Sequence, residues 1–186
     1  MSIGILALQG AFQEHADTLK KLSAEYKFIR NISDLDTKLD GIILPGGEST
    51  VQRKLAKELG LLEPLKLLIK KGIPTLGTCA GLILLSQEIA GNEDVAFATL
   101  PVIVCRNAYG RQLGSFSALG NIGSISDFPM RFIRAPYIKR TLSDDTEVLN
   151  VTDNKITAVK YQNQIGISFH PELTNDLRLH QMFLKL

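Results

Sequence analysis

The sequence predicts a three-layer, doubly wound α/β fold with a mostly parallel sheet, and three observations support this. Short apolar runs, typical of strands buried on both faces, recur in the first half of the chain. Helix-patterned segments separate them, which predicts βαβ units. After Gly91, short strand-like runs follow one another without a long helix, which predicts an antiparallel extension of the sheet. The length of 186 residues suits a single domain over residues 1–186.

In the first half of the chain, strands and helices are predicted to alternate. The predicted strands cover residues 2–8, 26–29 and 40–45, with a fourth that begins at Thr75. The predicted helices cover residues 12–22, a stretch from Val51, residues 65–71 and the apolar run 82–90. The first helix places Phe12, Ala16, Leu19 and Leu22 on one face.

The second half is predicted to consist mainly of strands. Strand-like runs cover residues 102–104, 132–134 and 156–159, and the last predicted strand covers residues 165–169. A terminal helix is expected to start at a cap on Thr174 or Asn175. Its residues Leu179, Met182, Phe183 and Leu186 are expected to face inward.

Composition and charge exclude several classes of protein. The net charge of +2 and the lack of basic runs with interleaved aromatic residues argue against a nucleic-acid binder. The apolar runs are too short to span a bilayer. The chain starts directly with a strand-like segment, so we expect no signal peptide. Two cysteines do not make a disulfide framework, and we expect a cytoplasmic protein with free thiols.

The segment Thr75-Leu76-Gly77-Thr78-Cys79-Ala80-Gly81 has the layout of a nucleophile elbow with cysteine at its apex. A strand that turns tightly into a helix strains its central residue and requires small neighbours, which Gly77, Ala80 and Gly81 are. The turn exposes the sulfur at a helix N-terminus, where unpaired N–H groups favour the reactive thiolate. The alternative is a structural cysteine buried in an ordinary turn.

A cysteine nucleophile needs a base, and His170 is the best-placed candidate. It follows a predicted buried strand, at the sheet edge where open α/β folds place their sites. Glu172 lies two residues further on, so its carboxylate can orient the imidazole. The alternative for this segment is an ordinary polar loop. The other two histidines, His15 and His180, are predicted to be solvated surface residues.

Acyl chemistry also needs donors for an oxyanion. The N–H of Ala80, directly after the cysteine, is one candidate, and the Gly46-Gly47 pair offers the second. Arg106 and Arg134 are candidates for binding a carboxylate, and the alternative for both is an ordinary solvated side chain.

Together these residues resemble the class I glutamine amidotransferases, through the elbow GTCAG at residues 77–81 and the late His-Pro-Glu. Within that class, five stretches resemble the glutaminase subunits of pyridoxal 5′-phosphate synthase. They are LQGA at residues 8–11, PGGEST at 45–50, RNAYGRQ at 106–112, FIRAP at 132–136 and FHPEL at 169–173. The resemblance runs from one end of the chain to the other.

This resemblance implies a flavodoxin-like fold and hydrolysis of L-glutamine to glutamate and ammonia through a γ-glutamyl thioester. Cys79 would be the nucleophile, His170 the proton carrier and Glu172 its orienter, with the Gly47 and Ala80 N–H groups as the oxyanion hole. The glutamine pocket would contain Gly46, Gly47, Glu48, Ser49, Arg106, Ile133, Arg134 and Ala135. The ammonia would pass to a (βα)₈-barrel synthase subunit within a large hetero-oligomer. No cofactor, metal, nucleic acid or membrane is implied.

Two alternatives stay open at the level of sequence. One is a stand-alone γ-glutamyl hydrolase or peptidase on the same fold, which would act on larger γ-glutamyl substrates. The other is a non-catalytic interaction module with a vestigial site, against which the intact Cys79, His170 and Glu172 argue.

Overall fold

The structure, a computed structural model, describes residues 1–106 and 114–186. Residues 107–112 of the RNAYGRQ stretch lie outside the described residues. The strands are β1 (Ser2–Leu6), β2 (Glu25–Ile29), β3 (Gly41–Leu44), β4 (Thr75–Thr78), β5 (Ser86–Ile89), β6 (Leu100–Cys105), β7 (Ser115–Ile122), β8 (Ile125–Ile133), β9 (Tyr137–Thr141), β10 (Glu147–Thr152), β11 (Lys155–Tyr161) and β12 (Gln164–Ile167). The α-helices are α1 (Phe12–Lys21), α2 (Ser49–Glu58), α3 (Leu62–Lys70), α4 (Ala80–Leu85) and α5 (Arg178–Phe183).

The central sheet is parallel over one half, from β2 to β12. Its order is β2-β1-β3-β4-β12-β11-β9-β6-β5, and the strands from β2 to β12 are all parallel to one another. From β12 through β11 and β9 to β6 the neighbours are antiparallel, β5 joins β6 in parallel, and β10 pairs with β11. Strands β7 and β8 form a separate antiparallel hairpin. The predicted α/β fold with an antiparallel extension is confirmed.

Alternating side chains of the parallel strands contribute to two separate hydrophobic cores, as the period of two along a strand requires. Ile3, Ile5 and Ile43 belong to the core that also contains residues of α1, α5 and the β7–β8 hairpin. Leu6 and Leu44 belong to the opposite core, with residues of α2, α3 and α4. The molecule therefore has three layers, with the sheet in the middle. None of the helices in the described ranges is long and apolar enough to cross a membrane.

Three predicted helix boundaries are wrong, and one of them is the start of α3, which lies at Leu62 and not at Leu65. The apolar run 82–90 is not one helix, because α4 ends at Leu85 and residues 86–89 form β5. Every residue of α4 is buried, so the run carries no amphipathic period that would mark its end. At Ser86 the backbone becomes extended and the hydroxyl donates a hydrogen bond of 2.8 Å to the Ile83 carbonyl.

The terminal helix begins later than predicted. Residues 171–173 form a 3₁₀ turn, and α5 starts at Arg178 instead of following a cap at Thr174 or Asn175. The Thr174 hydroxyl instead donates to the Pro171 carbonyl at 2.8 Å, and the Asp176 carboxylate accepts the Arg178 N–H at 3.0 Å. The expected inward-facing residues Leu179, Met182, Phe183 and Leu186 do pack in the core shared with α1.

Candidate active site

Cys79 occupies a strained turn between β4 and α4. Its backbone has φ 49° and ψ −99°, a conformation that residues other than glycine rarely adopt and that costs about 1–3 kcal/mol. The surrounding structure holds the turn in place, because the Cys79 N–H donates a hydrogen bond of 2.8 Å to the Ile167 carbonyl. A Cβ at Gly81 would overlap the Leu44 carbonyl, and one at Gly77 would press on the Gly81 backbone. The small residues around the cysteine are therefore a steric requirement of the turn.

His170 and Glu172 meet Cys79 at the carboxyl ends of neighbouring parallel strands, since β12 pairs with β4. His170 Nδ1 lies 2.6 Å from Glu172 Oε1, and the His170 and Cys79 side chains line the same cavity. Burial alone would lower the pKa of His170, but the hydrogen bonds to Cys79 and Glu172 raise it to about 10. These two contacts favour the imidazolium form of His170, which is the partner that a thiolate needs.

The Gly46-Gly47 segment lies directly against this group. The Gly46 N–H donates a hydrogen bond of 3.0 Å to Thr78 Oγ1, and the Gly46 carbonyl accepts one of 3.0 Å from the Ala11 N–H. A Cβ at Gly46 would overlap the His170 ring. Because a trans peptide is planar, this carbonyl direction places the Gly47 N–H on the side away from Ala11. Ala80 is the first residue of α4, where backbone N–H groups have no partner within the helix.

A cavity of about 360 Å³ opens over Cys79 and His170. This volume lies in the range of small-molecule sites. Seven of the eight predicted pocket residues line it, namely Gly46, Gly47, Glu48, Ser49, Arg106, Ile133 and Arg134. Ala135 is buried, and Pro136 lines the cavity in its place. Gln9 and Glu14 also line the cavity and were not among the predicted pocket residues. The LQGA motif was the available signal for Gln9.

Both predicted carboxylate-binding arginines are paired with acidic side chains. Arg106 forms an ion pair of 2.5 Å with Glu93, and Arg134 Nη2 lies 3.5 Å from Glu48 Oε1. The Arg134–Glu48 pair is largely exposed, and exposed pairs contribute only about 0–1 kcal/mol. A substrate carboxylate can therefore replace the glutamate at little cost. Among residues 1–106 and 114–186, no group of three or more His, Cys, Asp or Glu side chains is arranged to hold a metal ion.

The prediction that His15 and His180 are solvated surface residues is wrong. Both are fully buried, and His15 Nδ1 lies 3.0 Å from His180 Nε2. His15 lies three residues after Phe12 and four before Leu19, which is the spacing of the buried face of α1, and this spacing was the signal that could have placed it. Its pKa is lowered well below 6.5 by burial and by the charges of His180 and His170. Burial likewise lowers the pKa of His180 to about 4.

Comparison with known proteins identifies the family of this chain. The sequence profile of the SNO glutamine amidotransferase family matches residues 5–186. The pyridoxal 5′-phosphate synthase subunit PdxT of Desulfitobacterium hafniense (strain DSM 10664 / DCB-2) is 53% identical over 184 residues, covering 99% of this chain and 92% of that protein. The protein of the same name from Haemophilus influenzae (strain PittGG) is 48% identical over 189 residues, covering 100% of this chain and 98% of that protein.

Solved structures agree as well. A crystal structure of a glutamine amidotransferase superposes with a TM-score of 0.93 at 41% identity, over 98% of this chain and 97% of that one. A glutamine amidotransferase from Thermotoga maritima, at 14% identity and a TM-score of 0.61 over 98% of this chain and 80% of that one, shares the fold alone. The family match over nearly the whole length, together with relatives of this identity, means that the chain belongs to the SNO glutamine amidotransferase family.

Proposed function

We propose that this chain hydrolyses L-glutamine to glutamate and ammonia, and that the ammonia is used for pyridoxal 5′-phosphate synthesis. The observation that carries the proposal is the buried Cys79–His170–Glu172 group at the floor of a cavity lined by charged side chains. The full-length similarity to proteins named as subunits of pyridoxal 5′-phosphate synthase supports the biosynthetic role.

The reaction begins with attack of the Cys79 sulfur on the side-chain amide carbon of glutamine. The carbonyl oxygen becomes an oxyanion, which the N–H groups of Gly47 and Ala80 stabilise. His170 carries the proton of the thiol and gives it to the leaving nitrogen, so ammonia departs and a γ-glutamyl thioester remains. The neutral His170 then takes a proton from water, the hydroxide attacks the thioester carbon, and glutamate leaves as the thiol is restored. Glu172 keeps the imidazole oriented throughout.

Charge complementarity explains how the cavity selects a free amino acid. Glutamine carries an α-carboxylate and an α-ammonium group at the end remote from its amide. Arg106 and Arg134 suit the carboxylate, and Glu48 suits the ammonium group, because each lies at the cavity wall. When glutamine binds, its α-carboxylate replaces Glu48 as the partner of Arg134, and its α-ammonium group replaces Arg134 as the partner of Glu48. Every charge therefore stays paired.

The partner is a (βα)₈-barrel synthase subunit that receives the ammonia, and the two proteins work as a hetero-oligomer. Ammonia released into solvent would be lost, so the product is useful only if a second protein captures it. Residues 1–186 act as one amidotransferase domain. Both cysteines are unpaired, which suits a reducing cytoplasm.

The test is ammonia release from glutamine by the purified chain, with and without its synthase subunit. We expect release in the presence of the synthase, loss of release in Cys79→Ser, and retention in the matched control Cys105→Ser. Supplying the Cys79→Ser complex with ammonium chloride should restore pyridoxal 5′-phosphate formation, because only the ammonia source is removed. Unchanged ammonia release by Cys79→Ser would overturn the proposal.

A further inference from the structure

Glu172 lies between two histidines, only one of which belongs to the group that reacts. Its Oε1 is 2.6 Å from His170 Nδ1, and its Oε2 is 3.5 Å from His15 Nε2. The side chains of Glu172 and His15 are both fully buried. Among residues 1–106 and 114–186, Oε2 makes no hydrogen bond, and His15 Nε2 lies within ion-pair distance of it. The second carboxylate oxygen of the proposed triad is therefore left to His15.

His15 also connects the Glu172 carboxylate to the Gly46-Gly47 segment. Its Nε2 lies 3.2 Å from Thr78 Oγ1, and the same hydroxyl accepts the Gly46 N–H at 3.0 Å. On the other side of the ring, Nδ1 faces His180 Nε2 at 3.0 Å. One buried imidazole thus contacts the residues that orient His170, hold Gly46 and anchor α5.

The surroundings decide which nitrogen of His15 carries the proton. Burial keeps both histidines neutral, so each ring has one N–H. With the proton on His15 Nε2, the N–H points between Glu172 Oε2 at 3.5 Å and Thr78 Oγ1 at 3.2 Å, and Nδ1 accepts the His180 Nε2–H. The opposite arrangement would turn a lone pair towards the carboxylate and leave an N–H at His180 Nδ1, which has no partner among the described residues. Buried N–H groups without a partner are rarer than buried acceptors without a partner. The arrangement with the proton on His15 Nε2 is therefore favoured.

We propose that His15 is a positioning residue with two roles. Its Nε2–H holds the second oxygen of Glu172, and its contact with Thr78 keeps the Gly46-Gly47 segment in place beside the proposed triad. This inference rests on the proposed glutaminase function. Without the Nε2–H, the carboxylate is free to turn about its last side-chain bond, and its Oε1 no longer stays aligned with His170 Nδ1. Hydrogen bonds to charged groups are strong enough that we expect a loss in kcat on the order of tenfold to a hundredfold.

Two amide substitutions separate positioning from packing, because each keeps a different half of the imidazole. In His15→Gln the amide nitrogen takes the place of Nε2, so the contact with Glu172 is kept. In His15→Asn the amide group takes the place of Nδ1, so only the contact with His180 is kept. We expect His15→Gln to retain most of the wild-type kcat in the complex with the synthase subunit. We expect His15→Asn to lose on the order of tenfold to a hundredfold in kcat with little change in KM, since the cavity wall is untouched.

A second measurement works without glutamine. The rate at which iodoacetamide alkylates Cys79 reports on the Cys79–His170 pair alone, and it should fall in His15→Asn but not in His15→Gln. Equal kcat values and equal alkylation rates in the two variants, or a better result for His15→Asn, would overturn the proposal. If the wild-type complex released no ammonia, the proposed function would fail, whereas the alkylation rates would still decide the role of His15.

A further pair of variants covers the case in which His15→Asn folds poorly. Thr78→Ser keeps the hydroxyl that joins His15 to Gly46, and Thr78→Val removes it with little change in shape. We expect Thr78→Ser to keep its turnover and Thr78→Val to lose kcat, with urea unfolding measured on both variants. Wild-type turnover in Thr78→Val would refute the proposed connection from His15 through Thr78 to Gly46.

Discussion

The buried pair of His15 and His180 should make the protein sensitive to acid in a defined pH window. Both pKa values are lowered on folding, that of His180 to about 4. Below the unfolded-state pKa of about 6.5, the unfolded chain therefore binds protons that the folded chain does not bind. The free energy of unfolding should fall as the pH decreases from about 6.5 towards the folded-state values.

The size of the effect follows from the shift. A histidine whose pKa falls from about 6.5 to about 4 on folding lowers the free energy of unfolding by about 2 kcal/mol between pH 7 and pH 5. His180→Gln removes this titration and keeps an amide N–H in the place of Nε2, so the bond to His15 survives. With a urea m value of about 2 kcal/mol/M, the wild-type midpoint should fall by about 1 M more than that of the variant over this pH range.

The assay is urea unfolding followed by circular dichroism at pH 7, 6 and 5 for both proteins. The comparison concerns the slopes with pH, so a constant loss of stability in His180→Gln does not disturb it. His170 acts in the opposite window, because its raised pKa stabilises the fold below pH 6.5 and that stability is lost as the pH rises towards about 10. Parallel slopes for wild type and His180→Gln between pH 7 and pH 5 would show that folding does not lower the pKa of His180, which would contradict the prediction.

Three further predictions concern the site itself. A glutamine-like electrophile should label Cys79 before Cys105, and peptide mapping that found the reverse would contradict the elbow assignment. His170→Asn should abolish formation of the thioester, whereas Glu172→Gln should leave residual turnover, because the imidazole remains but loses its charged partner; rapid-quench detection of the acyl-enzyme tests both. Gly47→Ala places a methyl group against the side-chain oxygen of Gln9. This substitution should reduce the synthase-stimulated kcat more than it reduces the binding of the substrate glutamine. Steady-state kinetics with and without the synthase would sink this last prediction if only KM changed.

Most of the parallel half of the fold was predictable because β3, β4 and β12 are buried on both faces. Segments such as β1 and β3 are runs of apolar residues for that reason, and Gly41 and Pro45 mark the ends of β3. The elbow was predictable because its steric demands appear as small residues around Cys79. The end of α4 was not predictable, because a helix buried on all sides has no polar face to show where its period stops.

The contacts of the histidines were not predictable from local pattern. His15 and His180 are 165 residues apart in sequence, and only the packing of α1 against α5 and the sheet brings them together. A histidine on the apolar side of a helix is compatible with a snorkelling surface residue until its partner is known. The ion pair of Arg106 with Glu93 was not predictable either, because no sequence periodicity connects the two residues.

The hydrogen bonds around Gly46 and Gly47 fix the orientation of the peptide between these two glycines. Gln9 Oε1 accepts the Glu48 N–H at 2.7 Å, and the Ala11 N–H donates to the Gly46 carbonyl at 3.0 Å. Since a planar peptide cannot turn its carbonyl without turning its N–H, the Ala11 bond selects the orientation of the Gly46-Gly47 peptide. We therefore expect that a protein which displaces residues 9–11 would change the direction of the Gly47 N–H. In the proposed mechanism this N–H is one oxyanion donor, and such a donor is worth about 3 kcal/mol, or a hundredfold or more in rate.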